Sequence, residues 1–187
     1  MDIFNINDQL SMETKALSSK RINVTIFTID AQFNGYIECQ QQQRLLDVLN
    51  AITDRNNILG DDFLVINDVD VYYLQPKNSI IRHLSVGYIR RNNIVFVGEN
   101  KCANDCKLEM PFGMREKKAI SAEVEFPRMI LRGYLYAETW QDLPGAINRK
   151  ERFLPLTDVH LDSPLIDGVD KFEFVAVNRD RIICIGY

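Results

Sequence analysis

The chain carries little of the side-chain chemistry on which enzymes most often rely. Two histidines, His83 and His160, and a single tryptophan occur in 187 residues. There is no glycine-rich phosphate loop, no G-x-S-x-G elbow and no H-E-x-x-H pair. Each histidine reads as an ordinary residue near a strand end, because neither has a nucleophile or a second ligand close by in sequence. The sequence therefore assigns no catalytic residue, no cofactor site and no metal site, and the expectation is a protein that is not an enzyme. Long apolar runs are also missing, and no stretch approaches the ~20 residues that cross a bilayer. The opening segment MDIFNINDQLSMETKALSSK has acids where a secretory leader needs positive charge. Those two features predict a cytoplasmic protein with no membrane partner. Nor is there an excess of positive charge. The 22 Lys and Arg are outweighed by 26 Asp and Glu, giving a net charge of −4, which disfavours nucleic acid as the main partner.

Cysteine is sparse. Cys39 and Cys184 lie in apolar strand patterns, where a free thiol behaves as a small hydrophobe. Cys102 and Cys106 form a C-x3-C with no His or further Cys nearby. A metal site, a redox pair and plain thiols all remain open for them.

What the sequence does contain is repetition. GYIECQQQQRLLDVLN, from Gly35 to Asn50, recurs without a gap as GYLYAETWQDLPGAIN, from Gly133 to Asn148. Gly35 matches Gly133, Tyr36 matches Tyr134, Gln43 matches Gln141, Leu45 matches Leu143 and Asn50 matches Asn148. Two further blocks follow in the same order. Phe63 to Asp68 (FLVIND) answers Phe153 to Asp158 (FLPLTD), and Leu84 to Val97 answers Phe172 to Ile185 with apolar positions in step. Three blocks in one order read as a tandem duplication. The predicted organisation is an N-terminal arm over 1–20, a first repeat over 21–98, a connector over 99–118 and a second repeat over 119–187. In the connector, Met110, Phe112 and Met114 are expected to pack across the seam between repeats, the alternative being an exposed partner-binding segment.

The local patterns predict a mainly β protein. Asn23 to Ile29 (NVTIFTI) is rich in β-branched residues, and the following strand carries Gly35, where a bulge or bend is expected. Gln40 to Ile52 changes to helical spacing. In the second repeat Pro144 and Gly145 interrupt that turn, predicting only a distorted or 3₁₀ turn there. Phe63 to Leu74 reads as a strand, and Ile80 to Ile89 with Ile94 to Gly98, joined by the tetrad RRNN, reads as a hairpin. Lys171 to Val177 and Ile182 to Gly186, joined by NRDR, read likewise.

Five short strands per repeat, the second of them bent, point to two small, partly open β-barrels of Sm-like or SH3-like type. The phrase R-L-x-D-x-L-N at Arg44 to Asn50, F-L-x-[IL]-x-D at Phe63 to Asp68 and V-N-R-D-x-I at Val177 to Ile182 resemble an uncharacterised bacterial small-β domain family of Sm-like fold. The second repeat departs from the phrase, with Asp142, Pro144 and Gly145 in the helical turn. The resemblance implies the barrel fold and no particular activity.

Two functional readings follow. The leading one is a non-enzymatic interaction or assembly module that pairs with itself or with a protein partner through exposed strand edges. The alternative is RNA or single-stranded nucleic-acid binding, using Arg90, Arg91, Arg179 and Arg181 in the two matching turns, with Tyr72, Tyr73 and Tyr88 as stacking surfaces. Asp61, Asp62, Asp68 and Asp70 form an acidic cluster, but the spacing and glycine of a calcium loop are absent.

Overall fold

The computed structural model describes residues 19–51, 62–74, 81–100, 117–148 and 150–187. Cys102, Cys106, Asp61 and the connector residues Met110, Phe112 and Met114 lie outside these, as does nearly all of the expected arm. The described chain forms β1 (Ser19–Thr28), β2 (Ala31–Gln40), α1 (Leu45–Asn50), β3 (Phe63–Tyr73), β4 (Ile81–Arg90), β5 (Ile94–Glu99), β6 (Lys117–Phe126), β7 (Met129–Glu138), α2 (Leu143–Ile147), β8 (Phe153–Leu161), β9 (Lys171–Asn178) and β10 (Cys184–Gly186). Strands begin two residues inside the expected arm and two inside the expected connector.

All ten strands belong to one antiparallel sheet, in the order β10-β6-β7-β8-β9-β5-β1-β2-β3-β4. The sheet does not close, and β10 and β4 are its two ends. Its left half runs β10-β6-β7-β8-β9 and its right half β5-β1-β2-β3-β4, so the fifth, first, second, third and fourth strands of each half follow one another in the same order. The halves join where β9 pairs with β5, through Val177 with Phe96, Ala176 with Val97 and Val175 with Gly98.

Burial on both faces of the seam strands explains their composition. Ile94 and Val97 of β5 enter the core of the first half, while Val95 and Phe96 enter that of the second. On β9, Val175 and Val177 pack into the second core, whereas Ala176 and Phe174 reach the first. A strand with both faces covered has no position for a polar residue, which is why IVFV and FVAV read as unbroken apolar runs. Phe96 is at the centre, stacked on Phe27 with ring centroids 5.2 Å apart and edge-on to Phe172 at 6.2 Å.

The two predicted hairpins are not formed. Among the described residues β4 pairs with β3 alone, and β5 pairs with β1 and β9. β9 lies between β8 and β5, while β10 returns to β6. The tetrads RRNN and NRDR instead make 3₁₀ turns, Arg91–Asn93 and Arg179–Arg181, which carry the chain from one end of a half-sheet to the other. A tight polar tetrad is compatible with either connection, and the pairing is decided by which strand edges are free.

The expected distortion of the second helical turn is likewise corrected. Leu143–Ile147 is α-helical, with Pro144 in its first turn, where a missing N–H costs nothing. Asp142 Oδ1 accepts from the Gly145 N–H at 2.9 Å. In the first half the acid sits at the other end of the motif, where Asp47 Oδ2 accepts from the Arg44 N–H at 2.9 Å. Both cap the first turn, by opposite routes.

The bend found in both halves has a physical cause that differs from a bulge at glycine. The register between β2 and β3 shifts around Gly35, and that between β7 and β8 around Gly133. The extra residue lies on the facing strand, where Asp68 and Asp158 adopt left-handed conformations with φ of 54° and 50°. A Cβ on Gly35 would stand 2.7 Å from the Asn67 carbonyl oxygen, and one on Gly133 the same distance from that of Thr157. Glycine is required because the bulge on the neighbouring strand pushes a carbonyl against it.

Candidate functional site

The most elaborated polar chemistry lies at the seam, near the two 3₁₀ turns. Asn50, at the end of α1, holds the main chain of Phe153 at the start of β8. Its Oδ1 accepts from the Phe153 N–H at 2.9 Å, and its Nδ2 donates to the Phe153 carbonyl at 2.9 Å. Asn178, wholly buried, donates from Nδ2 to the carbonyls of Arg91 at 3.2 Å and Ile94 at 2.8 Å, and its Oδ1 accepts from the Asp180 N–H at 3.1 Å. Side-chain amides suit this task because each offers a donor and an acceptor to main-chain groups that would otherwise be buried unpaired. At the far end of the seam, Gln32 donates from Nε2 to Asp167 Oδ2 at 2.9 Å and accepts the Ile166 N–H at 3.2 Å through Oε1.

The four arginines expected to contact RNA are placed by this arrangement. Arg91 is buried, and its Nη1 donates to the Leu49 carbonyl at 2.6 Å. Arg181 crosses the seam and donates to the Asn92 carbonyl. Arg179 is half-buried beside the turn that Asn178 caps, and its N–H donates to the Arg152 carbonyl. Arg90 is exposed, its guanidinium 5.8 Å from the Phe63 ring centroid. Tyr88 shares that strand with Arg90, but Tyr72 pairs with Ile81 at the opposite end of β4, and Tyr73 lies beside it. Burial, then the negative charges of Asp70 and Asp167, push the Tyr72 hydroxyl pKa upward. The two turns meet, yet the aromatics expected to act with them are spread over the length of β3 and β4.

Beside the seam a cleft of about 430 Å³ is bordered by Asn50, Arg91, Lys150, Glu151 and Arg152. Arg152 also lies 3.8 Å from Asp180. Of the acidic cluster, Asp68 and Asp70 face His83, whose Nε2 and Nδ1 lie 3.4 Å and 3.1 Å from their carboxylate oxygens. His160 pairs across strands with Arg132 and Lys171. Among the described residues no group of three or more His, Cys, Asp or Glu is arranged to hold a metal ion, and no helix is long and apolar enough to cross a membrane. Cys39 is buried and Cys184 exposed.

The second feature is the pair of sheet ends. Among the described residues β4 is a ten-residue strand paired on one side only, and it exposes Val86 and Tyr88, at 42% and 57% of their full surface. At the other end, β10 covers only the Glu123 to Glu125 stretch of β6, with Ile183 just before it 61% exposed. Sequence reasoning anticipated free edges but not Asn50, Asn178 or their main-chain targets. The identity of Asn50 with Asn148 inside the repeated block was the available signal.

Comparison with family models, with curated proteins and with solved structures yields no match to this chain.

Proposed function

We propose that this chain is a non-enzymatic assembly module, made of two copies of one small, partly open Sm-like barrel, that associates with further copies of itself through its free strand edges. The observation that carries the reading is the seam. β5 and β9 are each the outer strand of their own half, and they meet edge to edge in a ladder with apolar side chains buried on both faces. The same kind of edge recurs at β4, with Val86 and Tyr88 left exposed. A strand of this length whose outer edge has no partner among the described residues, with large apolar side chains and no proline, is a template for another strand unless it is covered. The matching strand order of the halves supports the duplication, since each half then supplies one edge of each kind.

Light scattering coupled to size-exclusion chromatography, over a wide concentration range, tests the proposal. The expected result is a mass above that of the single chain that rises with concentration. A folded protein that stays at the single-chain mass at every concentration would refute it.

A further inference from the structure

We infer that the partner of β4 is β10 of a second copy, joined head to tail in the register that already joins β9 to β5 within the chain; this deepens the self-association reading and rests on it. The repeat correspondence supplies the register. β9 corresponds to β4 and β10 to β5, so the internal pairs Val177 with Phe96, Ala176 with Val97 and Val175 with Gly98 transpose to Ile89 with Cys184, Tyr88 with Ile185 and Gly87 with Gly186 of the next copy.

The large apolar residues Val86, Tyr88 and Ile183, exposed at the two ends, have counterparts that the seam covers. Phe174 and Ala176 pack against the core of the opposite half, and their counterparts on β4 are Val86 and Tyr88. The large and small side chains have exchanged places between neighbouring positions of the strand. Val95 and Val97 are 2% and 0% exposed, whereas the counterpart of Val95 is Ile183, at 61%, and that of Val97 is the half-buried Ile185. A Cβ on Gly98 would stand 2.5 Å from the Phe172 ring, while one on Gly186 would meet nothing within 4 Å, as expected if the space over Gly186 awaits a second chain.

The polar contacts transpose with the same chemistry. Asn50 grips the Phe153 main chain; its counterpart Asn148 is exposed, and the counterpart of Phe153 is Phe63, at the start of β3. Asn148 of one copy would grip Phe63 of the next. Arg90 stands at the position of Asn178, whose side chain donates to two carbonyls of the facing turn. An exposed guanidinium there can donate to the carbonyls of Arg179 and Ile182 in the neighbouring copy. The His83 contacts with Asp68 and Asp70 keep charge at the other end of β4, which confines pairing to the Gly87–Arg90 end.

The outer junction is weaker than the seam. Phe27, Phe96 and Phe172 form the aromatic cluster of the seam, and their counterparts are Glu125, Cys184 and Leu84. Association is therefore reversible, and because the two surfaces differ it produces a ring or an open chain rather than a closed two-fold dimer.

A complementation experiment tests the junction. Tyr88→Lys places a charge on the β4 end and leaves the β10 end intact. The double variant Asn148→Ala, Ile183→Lys does the reverse. Circular dichroism and the urea midpoint of each variant establish that it is folded, and Val86→Lys serves as a second β4 variant. The expected result is that each variant alone stays at the single-chain mass, with self-association weakened about tenfold or more, and that an equimolar mixture forms a species of two chains and nothing larger. If the double variant alone still associates while Tyr88→Lys does not, the edges pair β4 to β4, and the head-to-tail inference falls although self-association survives. If neither variant weakens association, the junction lies elsewhere and the inference also falls. A wild-type chain that is monomeric throughout removes both readings.

Discussion

The side chain of Asn50 and the main chain of Phe153 form a closed pair of hydrogen bonds, each 2.9 Å long, between residues that are far apart in the chain and in opposite halves of the sheet. Neither half alone contains both partners. Replacement by alanine leaves an N–H and a carbonyl without their side-chain partner, so Asn50→Ala is expected to lower stability by about 1–3 kcal/mol. The measurement is urea unfolding, where the midpoint falls and the slope stays unchanged. A loss of less than a few tenths of a kcal/mol would show that water replaces the amide without cost.

Phe96 is fully buried, and it belongs to the first half by sequence and to the second by packing. Phe96→Ala is expected to cost about 3–5 kcal/mol through lost transfer energy and the cavity that remains. Since both cores draw on the seam strands, scanning calorimetry should give one transition for the wild-type chain. Two transitions, with only one of them moved by the substitution, would mean that the halves unfold independently.

Gly35 and Gly133 face the bulges at Asp68 and Asp158. Alanine at either position drives a Cβ into a backbone carbonyl, which cannot rotate away, and should destabilise by about 1–3 kcal/mol. Gly186→Ala, with open space around it, should leave the stability of the single chain unchanged. Thermal unfolding of the three variants, measured at a concentration where the chain is single, distinguishes these outcomes. Equal effects at all three sites would place the cost in strand entropy rather than in the carbonyl contact.

Burial pushes the Cys39 thiol pKa upward, with Lys20 opposing and Glu99 adding a smaller rise. The folded state thus retains this proton more tightly than the unfolded chain. Its contribution to stability is complete below the unfolded thiol pKa and is lost as pH rises from that value through the raised folded one. In a Cys102→Ser, Cys106→Ser background, an aromatic disulfide reagent should label Cys184 rapidly and Cys39 only as the protein opens. Adding urea should accelerate the Cys39 reaction and leave that of Cys184 nearly unchanged. Rapid labelling of Cys39 in the native protein would contradict its burial.

The β class and most strand limits were legible in the sequence, because these rest on local patterns. β-Branched alternation marks β1 and β3. Three of the five matched identities have a local task that repeats in both halves. Gln43 and Gln141 accept the N–H groups of Gln40 and Glu138 at 3.0 Å and 3.1 Å, Leu45 and Leu143 are buried, and Gly35 and Gly133 receive the carbonyl of a neighbouring bulge. Strand partners were beyond its reach. RRNN and NRDR are as compatible with a hairpin as with a 3₁₀ crossing, and nothing within four residues tells β5 that its second neighbour is β9. The arginines show the same limit. Arg90 and Arg91 are adjacent and chemically alike, yet alternation along the chain leaves one exposed and turns the other onto the Leu49 carbonyl. Asn50 and Asn148 are identical in sequence, and only the tertiary structure gives one of them a main chain to hold, because edge pairing is a long-range choice made by whichever complementary strand is within reach.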